Sequence, residues 1–250
     1  MTLTLTVSPD FSPDHIAGWY VFNTWLQRRL GGVRIHLELH DNFTQQREAL
    51  AGDGIDLVYA SPSVAAMLVR ERGFISIAAP IGKLDEAVIA VPVNASTQHV
   101  EDLVPGARVA QTNDPDVNMI AMIMLESADL AAANIEIVKA STYVLVAKQL
   151  ISGKADCGIF QAQAFDDLSG AVKRQLRSLA RSEIGSIRHV LLAGPRLAEY
   201  HDRLRELVVG MHAPGSDGKR ALDALGMAGF ESQLPEDVEF MIDMIQTLTV

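Results

Sequence analysis

The chain has 250 residues, 48% hydrophobic and 21% charged, with a formal net charge of −10 and a pI near 5.1. That length suffices for one large α/β domain or two modest lobes, each with its own core, and an acidic surface disfavours nucleic acid and anionic lipid as partners. Cys157 is the only cysteine, which excludes an intrachain disulfide and a zinc site of paired thiolates.

The elements follow in chain order. Leu3 to Val7 alternates Leu and Val with Thr and reads as a strand. Ser12 and Pro13 fit an N-cap and first helical position, opening a helix that carries Ile16, Trp19, Tyr20, Phe22, Leu26 and Leu30 and stops at Gly31-Gly32. Val33 to Leu39 is a strand, Thr44 to Ala51 a helix and Ile55 to Ala60 a buried strand. Ser61-Pro62-Ser63 then caps a helix over Val64 to Arg72, and Phe74 to Ala79 is the next strand. Ala87 to Val93 is a further strand, from which Asn94-Ala95-Ser96 crosses into a second lobe.

That second lobe repeats the grammar. Val100 to Leu103 is a helical turn, Arg108 to Gln111 a strand, Asp116 to Glu126 a helix and Ile135 to Lys139 a strand. Tyr143 to Ser152 is a helix, Cys157 to Phe160 a strand and Ala162 to Leu168 a helix. Ile187 to Ala193 returns to the first lobe as a strand. Helices over Pro195 to Met211, Lys219 to Met227 and Pro235 to Leu248 finish the chain, the last with Phe240, Met241, Met244 and Ile245 as its apolar face.

Strands alternating with helices predict an α/β fold of two lobes, each a mostly parallel sheet flanked by helices. Residues 1–90 with 188–250 form the first lobe in this reading and 91–187 the second. An internal echo supports it: Leu50 to Tyr59 and Leu150 to Ile159 share a helix end, a glycine turn, an Asp and a short buried strand at an offset of 100 residues.

In open parallel sheets, ligands bind beyond the carboxyl ends of the strands, where helix N-termini converge. The loops so placed hold Ser8, Asp10 and Phe11; Tyr59, Ser61 and Ser63; Thr112, Asn113, Asp114 and Asn118; and Ser141, Thr142 and Tyr143. A hydroxyl or amide there can join free backbone N–H groups to hold an anion. The same residue types are also ordinary helix caps, and Phe11 also suits a hydrophobic staple. As a set, they outline a small-molecule site closed between two lobes.

Catalytic and metal constellations are thin. Cys157 lies in a buried strand, and no HxxxH, HExxH, GxGxxG, P-loop or GxSxG pattern occurs. The reading therefore assigns no catalytic residue, metal or cofactor. No run of 18 apolar residues predicts a membrane span. The start at Met1 lacks a basic region, an apolar stretch and a cleavage site, which places a soluble protein in the cytoplasm if Met1 is native and in the periplasm if a signal peptide was removed.

The pattern resembles the substrate-binding components of phosphonate, phosphite and phosphate-type ABC transporters. The resemblance rests on the unit ending Tyr59-Ala60-Ser61-Pro62, the crossover Ala87 to Val93 and the turn Gly153-Lys154-Ala155-Asp156. The return segment Val190 to Leu197, the helix around Leu222, Leu225 and Gly226, and Gly229-Phe230 also fit. It implies a type II periplasmic-binding-protein fold, two hinged lobes with ligand between them, and a transporter or signalling partner. Phosphonate binders of this kind usually offer a Ser-Thr-Ser cluster at the helix opening the second lobe, where this chain has Thr112-Asn113-Asp114-Pro115-Asp116. They also tend to have a His where it has Ser141-Thr142-Tyr143. Two added carboxylates repel a phosphonate unless the ligand also carries a cation.

The expected function is thus a small-molecule binding protein for a phosphonate, another oxyanion or an amine-bearing metabolite, of transporter or sensor type. Two other readings stand beside it. One is a cytoplasmic enzyme on the same scaffold, of menaquinone or thiamine-type biosynthesis, using Asp10 or Asp114 with His15. The other is a regulatory effector domain that needs a DNA-binding partner.

Overall fold

A computed structural model describes residues 2–11 and 13–248, apart from the side chain of Leu248. The capping role expected of Ser12 lies outside the described residues. The chain forms β1 (Thr2–Val7), α1 (Ile16–Leu30), β2 (Arg34–Glu38), α2 (Phe43–Leu50), β3 (Leu57–Ala60), α3 (Pro62–Arg72) and β4 (Ile75–Pro80). It continues through β5 (Ala87–Pro92), β6 (Arg108–Gln111), α4 (Pro115–Leu125), β7 (Glu136–Lys139), α5 (Tyr143–Ile151), β8 (Cys157–Gln161), α6 (Ala162–Asp166), α7 (Gly170–Lys173) and β9 (Leu176–Arg181). Last come β10 (Val190–Ala193), α8 (His201–Val209), α9 (Gly218–Ala224), β11 (Phe230–Glu231) and α10 (Pro235–Leu248).

These elements make two compact units. The first is built of residues 2–84 and Arg188–Gln246, the second of Asp85–Ile187. A boundary at residues 90 and 91 would cut β5, which belongs whole to the second sheet; the chain leaves the first unit before it, at Leu84.

The first unit holds a sheet of order β11-β4-β10-β3-β1-β2 and the second one of order β7-β6-β8-β5-β9. β1 is parallel to β2 and β3, and β6 is parallel to β7 and β8. Each sheet is mixed rather than mostly parallel in its pairings. The strand with which the chain enters each unit, β10 or β5, is wedged antiparallel between two strands that run the other way. Leaving out β11, the two orders are the same, second-first-third-entry-fourth, so both units follow one plan.

In the first unit, Leu3, Leu5 and Val7 of β1 pack against Trp19, Phe22 and Leu26 of α1. The inner face of α1 is completed by Gly18 and Trp25, while Ile16 and Tyr20, expected on that face, are 42% and 54% exposed. On the other face of the sheet, Leu50 packs with Val58, Ala60, Val64 and Leu68.

Two further expectations change, and one strand was not expected. The helix expected over Pro195 to Met211 is a 3-10 turn, then α8, then a second 3-10 turn. In α10 the buried face is Val238, Met241, Ile242 and Ile245, with Phe240 58% exposed. β9 carries no pattern that predicts a strand; it is an edge strand with little buried surface, which leaves alternation weak.

Candidate functional site

In the first unit β1 runs into Ser8-Pro9-Asp10-Phe11, and the Ser8 backbone N–H donates to the Tyr59 carbonyl at 2.8 Å, fixing this loop beside the end of β3. The Asp10 carboxylate pairs with His189 Nε2 at 3.0 Å, both side chains being largely buried. His189 stacks on Tyr59, with ring centroids 5.2 Å apart and planes within 19°. Tyr59 meets Trp19 at 4.8 Å, and Phe11 meets the edge of Trp19 at 6.4 Å. The result is a carboxylate–imidazole pair walled by aromatic rings. Burial pushes the Asp10 carboxyl up, but the charge and hydrogen bond of His189 outweigh it, holding it below the ordinary carboxylate range.

Ser61 stands at the cap position of α3 with Pro62 as the first helical residue, yet its hydroxyl makes no capping bond. That hydroxyl is buried without a hydrogen-bond partner among the described residues. Ser63 lies in the first turn of α3 and is half-buried. Val190 pairs with Ala60 in antiparallel register, so His189 falls opposite Ser61.

In the second unit Asp114 is the cap of α4. Its Oδ1 accepts the backbone N–H groups of Asp116 and Val117, each at 3.1 Å, and its Oδ2 accepts the Tyr143 hydroxyl at 2.9 Å. The Asp114 N–H donates to the Thr112 hydroxyl at 3.3 Å, and Asn118 Nδ2 donates to the Thr112 carbonyl at 2.8 Å. Thr142 caps α5, accepting from the Leu145 N–H at 3.3 Å. Asn113 and Ser141 are exposed, while Asp114 and Asp116 are buried. A chain carboxylate therefore occupies the start of α4, the place where a helix N-terminus otherwise receives an external anion.

The predicted residues are thus gathered in two stations, each within its own unit: Ser8, Asp10, Phe11, Tyr59, Ser61 and Ser63 in the first, and Thr112, Asn113, Asp114, Asn118 and Ser141 to Tyr143 in the second. Asp114 and Thr142 also serve as caps. The stations correspond: Thr6 pairs with Val58 as Ala110 pairs with Gly158, which sets Asp10 and Asp114 at equivalent places past their strands. His189 was missed, because nothing local marks a His at the start of a strand 179 residues from its carboxylate. His15, offered as a catalytic partner, packs against Gly226. The Cys157 thiol is buried and pushed up to about 12, first by burial and then by the charge of Asp156, which leaves it inert. Among the described residues no helix is long and apolar enough to cross a membrane.

The sequence profile of the family described as "ABC transporter, phosphonate, periplasmic substrate-binding protein" matches residues 5–238. No curated protein matches the chain by sequence. Among solved structures, PhnD1 from Prochlorococcus marinus in complex with methylphosphonate is similar with a TM-score of 0.82 at 14% identity, covering 99% of this chain and 98% of that one. XAC2383 from Xanthomonas citri, bound to chloride ion, gives 0.81 at 16% identity with the same coverage. The aliphatic sulphonate binding protein SsuA from Escherichia coli gives 0.65 at 14% identity, covering 98% of this chain and 87% of that one. At these identities the likeness establishes the fold, a two-lobed α/β fold of the type II periplasmic-binding-protein kind.

Proposed function

The chain belongs to the periplasmic substrate-binding proteins of phosphonate-type ABC transporters, and on that premise we propose that its ligand is a small phosphonate- or sulfonate-type molecule that also carries an amine. The family supplies the class of ligand, and its members hand that ligand to the membrane subunits of a transporter. The amine is supported by one observation above others. At the start of α4 the buried Asp114 carboxylate already accepts two backbone N–H groups and the Tyr143 hydroxyl, with a second buried carboxylate, Asp116, in the next turn. Such a place repels a bare oxyanion and favours a cation. We place the protein in the periplasm, where its family works; the cytoplasmic expectation rested only on the first residues of the chain.

Thermal-shift measurements on the full chain with methylphosphonate, aminomethylphosphonate, ethanesulfonate and putrescine test this. A ligand that binds only the folded chain stabilises it by about 2.7 kcal/mol at a concentration of 100 Kd. Aminomethylphosphonate is expected to raise Tm most. Equal shifts with methylphosphonate and aminomethylphosphonate would remove the amine from the proposal, and no shift with any of the four would overturn it.

A further inference from the structure

The two units provide an internal comparison for the first station. Ala60 of β3 stands where Phe160 stands in β8, and these strands pair with Val190 and Val88 of their respective entry strands. His189 is therefore the counterpart of Ala87, an uncharged residue with no exposed surface. Ser61 is the counterpart of Gln161, whose side chain caps α6 by accepting the Ala164 N–H at 2.8 Å. The shared plan needs neither an imidazole nor an idle hydroxyl at this place. In the first unit both are present, on facing strands and at the start of an 11-residue helix.

We propose that His189 and Ser61, with the N-terminus of α3, form the oxyanion subsite of this protein, Asp10 serving as the positioning residue for the imidazole. This deepens the proposed function and rests on it. The ring is held from two directions, by the Asp10 carboxylate at 3.0 Å and by the face of Tyr59. Its orientation is thus set before a ligand arrives. The Ser61 hydroxyl, buried and without a partner among the described residues, is a donor that no internal acceptor uses. The positive end of α3 adds to the same attraction. A tetrahedral oxyanion supplies the acceptor that the Ser61 hydroxyl lacks, and the helix end favours its negative charge.

The test is isothermal titration of the full chain and its variants with methylphosphonate and aminomethylphosphonate. His189→Gln and Ser61→Ala are each expected to weaken both ligands by tenfold or more. Ser61→Ala should leave Tm unchanged, since the hydroxyl caps nothing, and His189→Arg should recover part of the affinity by restoring charge. Asp114→Asn should weaken aminomethylphosphonate more than methylphosphonate. Wild-type binding that both His189→Gln and Ser61→Ala leave intact overturns the subsite while the ligand class stands. A wild-type chain that binds neither compound overturns the subsite and the proposed ligand class together.

Discussion

Asp56 and Asp156, one hundred residues apart, make the same bond: each accepts the backbone N–H of the first strand of its own unit, Thr4 at 2.9 Å and Arg108 at 2.8 Å. Each returns a bond through its own N–H to the carbonyl of that same residue, at 2.9 and 2.8 Å. The aspartate in the repeated turn is thus the clamp that aligns the first and third strands, and it explains why the echo is visible in the sequence.

The two clamps differ in burial, and the difference is measurable. Asp56 is 1% exposed and also holds Arg196 by two bonds of 2.6 and 2.7 Å. Asp156 is 44% exposed and holds Arg108 at 2.7 Å. Asp56→Ala should cost roughly 1–3 kcal/mol, because it leaves a buried strand N–H without its acceptor and breaks both bonds to the half-exposed Arg196. Asp156→Ala should cost only about 1 kcal/mol, water compensating for much of what is lost. Urea unfolding of the two variants checks the order.

Gln46 stands where Val146 stands in the second unit. There, a Cβ on Gly158 would lie 2.8 Å from Val146 Cγ1, so residue 146 faces the sheet directly. Gln46 is equally buried, and its amide oxygen and nitrogen have no hydrogen-bond partner among the described residues. Gln46→Leu should therefore stabilise the protein, by about 1–2 kcal/mol, through removal of an uncompensated buried amide. A lower Tm in this variant would contradict the assignment.

Gly18 lets α1 and α9 touch. A Cβ there would fall 2.3 Å from the Ala224 carbonyl oxygen, and backbone cannot yield as a side-chain tip does. Gly18→Ala should cost roughly 1–3 kcal/mol by forcing the helices apart, despite the better helix propensity of Ala. Calorimetric unfolding reads this directly.

The Asp10–His189 pair gives a signed pH effect. Since the folded-state pKa of Asp10 is depressed, its stabilisation is present above the unfolded value near 3.8 and is lost as pH falls through the lower folded value. In His189→Gln the opposing charge is gone and burial dominates, so the Asp10 carboxyl should titrate above its ordinary range. At neutral pH that variant should lose roughly 2–4 kcal/mol, the cost of an unpaired buried charge. Carboxyl NMR titration of Asp10 in both proteins reports the direction.

Much of the fold was legible because its signals are local. Leu3, Leu5 and Val7 alternate on one face of β1, and Gly31 ends α1 at a positive φ of 62°. Asp114 and Thr142 were legible as helix starts for the same reason. What stayed hidden depends on distant chain. His189 gains its meaning from Asp10, 179 residues away, and the idle hydroxyl of Ser61 is indistinguishable from an ordinary cap until its bonds are known. Trp25, which the periodicity of α1 did not single out, donates its indole N–H at 3.1 Å to Asp217, 192 residues away.

The central claim is that a chain of this family captures one small oxyanion that also bears an amine. Isothermal titration of the wild-type full chain with aminomethylphosphonate, with methylphosphonate as reference, tests it most directly. A single saturable site at one ligand per chain, at least tenfold tighter for aminomethylphosphonate, is the expected result. Absence of saturable binding, or tighter binding of methylphosphonate, would contradict the account.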